Sequence, residues 1–154
     1  MGPVISAVYL LQHTATIMIR QSDQVLQERL GIGIAQFRIL MMLQTCPNVQ
    51  QRKLAEALGQ TEASVSRQIR LLCDRGLLAV QVNPKSRREH ITIITAKGSK
   101  LTEAAVDVLE QYHRPMLAQM GAKQQAQFIT ALNLCHTHVC GPGKPFACDH
   151  PFKK

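Results

Sequence analysis

Along the first thirty positions, Val4, Val8, Leu11, Ala15, Met18 and Val25 recur in steps of four and three, close to a heptad seam on one side of a helix. Gly31 and Gly33 end that helix. A second helix is predicted over 35–44, with Phe37, Leu40, Met41 and Leu43 apolar, and Pro47 stops it because it cannot continue an interior turn. A third, over 50–58, rests on Leu54, Ala57 and Leu58. Gly59 then breaks the chain, and Thr61 is placed to cap a fourth helix over 62–75 whose inner stripe is Val65, Ile69 and Leu72.

After the stop at Gly76, "LLAVQV" predicts a short strand, "NPKSRREH" a charged turn and "ITIIT" a β-branched return strand. A long helix follows over 96–120 on Leu101, Ala105, Val108 and Tyr112, with Pro115 expected to kink or split it. A last helix, 123–139, aligns Phe128, Leu132, Cys135 and Val139. The final fourteen residues hold three Pro and two Gly and predict an irregular tail. The expected fold class is therefore mainly α with a small β-hairpin.

A chain of 154 residues makes one compact domain, or a small domain with a dimerisation extension, which excludes most large enzyme folds. Aromatics are 4% with no Trp, too few for the stacking platforms of a single-strand reader. The net charge of +8 favours a polyanionic partner, and residues 52–98 carry +5 of it. The uncharged opening run to Ile19 has no basic leader and is interrupted by polar residues, so neither a signal peptide nor a membrane span is expected. A cytoplasmic protein with reduced cysteines follows from that expectation.

Two short helices joined at Gly59, the second more basic, have the spacing of a helix-turn-helix. With Val65, Ile69 and Leu72 inward, Ala63, Arg67 and Arg70 point outward, flanked by Ser64 and Ser66 and preceded by Thr61. Small and hydroxylated residues let a helix approach base edges, and an Arg reaches a guanine edge with two bonds or a phosphate with one. The bland alternative is an amphipathic helix with a solvated charged face. Lys85, Arg87 and Arg88 at the hairpin shift the balance, because only Glu89 offers an opposite charge there. A basic β-tip beside such a helix is a wing that can enter a minor groove.

The segment from Ala35 to Gly98, through "LAEALGQTEASVSRQIRLLCDRGLL" and "NPKSRREHITIITAKG", resembles the MarR (multiple antibiotic resistance regulator) family of winged helix-turn-helix transcription factors. Members usually carry Asp-x-Arg in the wing; the matching positions here are Ser86 and Arg88, so a hydroxyl stands where the acid orients the Arg. The resemblance implies a homodimeric regulator, typically a repressor, on double-stranded pseudo-palindromic DNA. It divides the chain into a dimerisation helix (1–32), a winged helix-turn-helix (33–98), C-terminal dimerisation helices (99–140) and a Cys/His-containing tail (141–154). It also implies a small-molecule effector pocket between the dimerisation and DNA-binding parts, where Met41 and Met42 fall. His13, titratable among apolar neighbours, joins that set, although a core or interface histidine is its simpler reading.

No Gly-rich phosphate loop, nucleophile elbow or HExxH motif supports an enzyme. The unusual chemistry is C-terminal: Cys135, His136, His138, Cys140, Cys148 and His150 fall within sixteen residues. They could hold zinc, iron or an iron-sulfur cluster, or serve as oxidisable thiols. On a helix, Cys135 and Cys140 share one centre only if the helix ends near Val139 and the tail brings Cys148 back. The plain alternative makes Cys135 a small core residue and His136 and His138 surface groups. A second function class therefore stands beside the regulator: a metal- or cluster-carrying redox protein on a winged-helix scaffold.

Overall fold

The computed structural model describes residues 2–83 and 86–140, without the side chains of 83–90. The described elements are α1 (Pro3–Leu30), α2 (Ile34–Thr45), α3 (Gln51–Leu58), α4 (Glu62–Asp74), β1 (Leu78–Asn83), β2 (Ser86–Ile94), α5 (Ala96–Ala118) and α6 (Ala122–Cys140). The architecture is helical with one antiparallel hairpin. Among the described residues no helix is long and apolar enough to cross a membrane.

Each helix boundary has a local cause. Pro3 opens α1, where a missing N–H costs nothing, and Gly31 closes it at φ +65°, donating its N–H to the Gln27 carbonyl. Two side chains hold the start of α2: Asp23 Oδ1 of α1 accepts from Ile34 N at 2.8 Å, and Gln36 Oε1 in the first turn of α2 accepts from Gly33 N at 3.3 Å. The α3–α4 turn passes through Gly59 at φ +63°, and Thr61 Oγ1 accepts from Ser64 N at 3.2 Å. Thr95 caps α5 by accepting from Gly98 N at 3.0 Å, and its hydroxyl reaches back to Gly76 O and Leu77 O.

The core gathers where α2, α3, α4 and β1 meet. Leu40 and Leu43, Leu54, Val65 and Leu72, and Leu77 are fully buried there, with Leu26 of α1 and Ala105 of α5 closing the sides. Burying four or five such side chains supplies stability on the order of 10 kcal/mol before chain entropy is subtracted. The outer helices contrast with this. In the first half of α1, Val4, Ile5, Val8, Tyr9, Leu10 and Leu11 are exposed, and α6 contains no buried residue.

Three expectations are corrected. The charged turn is shorter than 83–90, because β2 starts at Ser86: ladder pairing is a backbone property that charged side chains do not prevent. Pro115 does not split α5, which continues to Ala118. It lies on the exposed side next to the helix end, where water can satisfy the carbonyl left without a partner. Cys135 is exposed rather than a core residue, and Cys140 is the last residue of α6, so the helix does not stop before it.

Gly98 is the tightest junction. A Cβ there would collide with the Leu77 carbonyl and lie 2.9 Å from Ile94 Cγ1, so only glycine lets α5 start against β1. Gly98→Ala should cost at least about 2 kcal/mol, the upper range of overpacking, since the obstacle is backbone. Thermal unfolding followed by circular dichroism checks this; an unchanged Tm would contradict it.

Candidate nucleic-acid interface

Burial of Val65, Ile69 and Leu72 decides what α4 presents outward. Thr61, Ala63, Ser64, Arg67 and Arg70 are exposed on the opposite side, as the wheel predicts, while Ser66 is half-buried at its margin. Glu62 in the first turn complements the helix dipole. Among the described residues, the one ion pair is Arg52–Glu56 at 3.1 Å on the surface of α3. Arg67 and Arg70 therefore stand without an acidic partner among the described residues.

The hairpin pairs Leu78 with Ile94 through Val82 with His90, then jumps to Asn83 with Ser86. That jump leaves Arg87, Arg88 and Glu89 without ladder partners on β2 near the tip, an irregularity of the kind that aims a strand's end away from its sheet. Lys85 lies outside the described residues, and the side chains of Arg87 and Arg88 are not described.

The expected pocket residues separate. His13 sits on the exposed half of α1, stacked on Tyr9 with ring centroids 5.8 Å apart. Met42 is buried in the core. Met41 alone of the three lines a cavity, one of about 310 Å³ shared with Thr45, Thr102 and Val106. A larger cavity of about 560 Å³ lies along α5, lined by Phe37, Val106, Leu109, His113, Arg114 and Leu117. His113 Nε2 is 2.9 Å from the buried hydroxyl of Ser22, which ties α5 to α1 at its rim. The signal for this cavity was a second apolar row, Val106, Leu109 and Leu117, beside the row that ends at the exposed Tyr112.

Cys135, His136 and Cys140 line one pocket of about 380 Å³ with Leu11, Leu132 and Val139, whereas His138 is exposed and outside it. Cys148 and His150 lie outside the described residues. Among the described residues, no three His, Cys, Asp or Glu groups come together as metal ligands. Nor can Cys135 and Cys140 bridge while α6 is intact: five residues along a helix separate Cα atoms by about 8.6 Å, beyond the roughly 7 Å a disulfide spans.

The MarR family model matches residues 30–89, the segment from the end of α1 to the wing. Over that segment the chain is similar to the MarR family. The chain is 28% identical over 120 residues to an HTH-type transcriptional repressor of Mycobacterium tuberculosis, covering 78% of the chain and 86% of that protein. It is 23% identical over 94 residues to the transcriptional regulator HosA of Escherichia coli, covering 61% and 70%. Among solved structures, apo wild-type MarR from E. coli superposes with a TM-score of 0.74 at 18% identity, over 88% of this chain and 98% of that one. A MepR–DNA complex from S. aureus superposes with a TM-score of 0.70 at 24% identity, over 84% and 95%. At these identities the structural likeness establishes the fold.

One thiol, Cys73, lies half-buried on the inner margin of α4. Burial, with Asp74 beside it, pushes the Cys73 thiol above its ordinary range. A folded pKa raised above the unfolded one gives stability that is complete below the ordinary thiol range and is lost as pH rises through it. In an alkylation series read by mass spectrometry, Cys73 should label half-maximally at higher pH in the folded protein than in the urea-unfolded chain. Coincident profiles would contradict the burial argument.

Proposed function

We propose that the protein is a homodimeric transcriptional repressor that presents two copies of α4 and the wing to a pseudo-palindromic duplex. The observation that carries this reading is the outward row of Ala63, Ser64, Arg67 and Arg70, whose cations have no acidic partner among the described residues. That row lies in the segment holding most of the net charge. The proteins it is similar to support it: one is a transcriptional repressor, and MepR has been solved in complex with DNA. Thr61, Ala63, Ser64, Ser66, Arg67 and Arg70 are assigned to the major groove, and Lys85, Arg87 and Arg88 to the minor groove and phosphates.

Dimerisation is assigned to α1 and α6, whose apolar residues Val4, Val8, Leu11, Ile129, Leu134 and Val139 are exposed in the single chain. A contiguous surface of that kind is covered in solution as a rule. The 560 Å³ cavity has the size and apolar lining of a small-molecule site, and we assign the effector to it. The metal- or cluster-carrying alternative has weaker support, since Cys135, His136 and Cys140 share a pocket without forming a ligand set among the described residues.

DNA selected from a random pool supplies the test duplex. Arg67→Ala should weaken binding by about 1–3 kcal/mol and relax preference at one position per half-site if it reads a base. Arg88→Ala should weaken all sequences alike and lower the salt slope by about one. Wild-type affinity in both variants, measured by fluorescence anisotropy, would overturn the assignment of the interface.

Sedimentation at micromolar concentration should give a mass near 34 kDa, twice the 17.1 kDa chain. A folded 17 kDa species at that concentration would remove the dimer from the proposal.

A further inference from the structure

Arg75 follows directly on α4, in the most basic part of the chain, and reads at first sight as one more phosphate contact. Its guanidinium points elsewhere. Nη1 donates to the Gly31 carbonyl at 2.6 Å, a charge-assisted bond to the residue that caps α1. That carbonyl lies at the negative end of the α1 dipole, where a cation is favoured. The acceptor is also held still. Gly31 is fixed in the left-handed region, and Asp23 Oδ1 of α1 binds Ile34 N two residues beyond the turn, so closely that a Cβ on Gly33 would come within 2.9 Å of it.

The backbone of the same residue is bound from the other side. Lys97 Nζ, in the first turn of α5, donates to Arg75 O at 2.8 Å, and Thr95 Oγ1 donates to Gly76 O at 2.8 Å. The exit of α4 is thus clamped between the end of α1 and the start of α5, the two helices that lead into the proposed dimer surface.

We infer that Arg75 is a positioning residue, which sets the angle of α4 against α1 and so the spacing of the two reading heads, and that it is not itself a DNA contact. This rests on the DNA-binding reading above. The lever is long enough to matter: α4 has thirteen residues, about 20 Å, so a swing of roughly 10° at its C-terminal end moves Ala63 and Ser64 by about 3 Å, one base-pair step.

The experiment compares wild type, Arg75→Ala, Arg75→Lys and Arg70→Ala on the duplex selected by wild type and on two versions with the half-site spacer changed by one base pair. Arg75→Ala should lose at least about fivefold in affinity for the selected spacing and should discriminate less among the three spacers. Its slope of log Kd against log salt should match wild type, whereas Arg70→Ala lowers the slope by about one. Arg75→Lys, which keeps one donor for Gly31 O, should recover most of the spacer preference. An Arg75→Ala slope lowered by about one, with spacer preference intact, would make Arg75 a phosphate contact and overturn the inference. Affinity, slope and spacer preference all equal to wild type would overturn it as well. A wild-type protein that enriches no duplex overturns the DNA-binding reading itself, and this inference with it.

Discussion

Everything the molecule presents outward depends on the burial of one three-residue stripe, Val65, Ile69 and Leu72, against α2 and β1. Those side chains sit at 0–2% exposure, which fixes the rotation of α4 about its axis. A rotation by one residue, about 100°, would pull the stripe into water at several kcal/mol and turn Arg67 toward apolar neighbours. The cationic row is outward because the alternative is too costly, and no contact made by the arginines themselves is needed to hold it there.

Rotation about the axis is one degree of freedom, and the tilt of α4 is another. At the N-terminal end of α4 the turn through Gly59 and the Thr61 cap are on the surface, and apolar packing of Val65 seats the helix there. The C-terminal end is where polar bonds converge: Arg75 to α1, Lys97 and Thr95 from α5. Apolar burial is non-directional, whereas a short hydrogen bond to a fixed carbonyl constrains both distance and angle. The division of labour follows from that physics, with the core holding the helix in place and the corner aiming it.

Much of this was legible before any coordinates. The six helices, the hairpin and the α4 stripe follow from periodicity, Gly and Pro punctuation and the Thr61 cap, because each of those signals is local. The misreadings involve forces that local pattern does not record. Residues 86–90 look like a turn by composition, yet Ser86 and His90 pair with Asn83 and Val82 through the backbone. Pro115 looks like a break, yet lies where a lost bond is inexpensive. The cavity escaped notice because α5 carries two apolar rows and only the three-dimensional arrangement shows which one faces α2. Arg75 escaped for a related reason: its acceptor, Gly31, is forty-four residues away.

The same arrangement joins the α5 cavity to the seat of α4. Phe37 forms part of the cavity wall and, at 5% exposure, is also part of the core that holds α4. The helix that carries it, α2, packs on both α5 and α4. A ligand that displaced Phe37 would therefore press on the element seating the reading helix, while the Arg75 bond resists movement at that helix's far end. Such a ligand shifts DNA affinity only by the difference in its own affinity for the two seatings of α4. Phe37 thus joins the cavity to the packing of α4, and the Arg75 bond to Gly31 holds the C-terminal exit of that helix while the cavity wall moves.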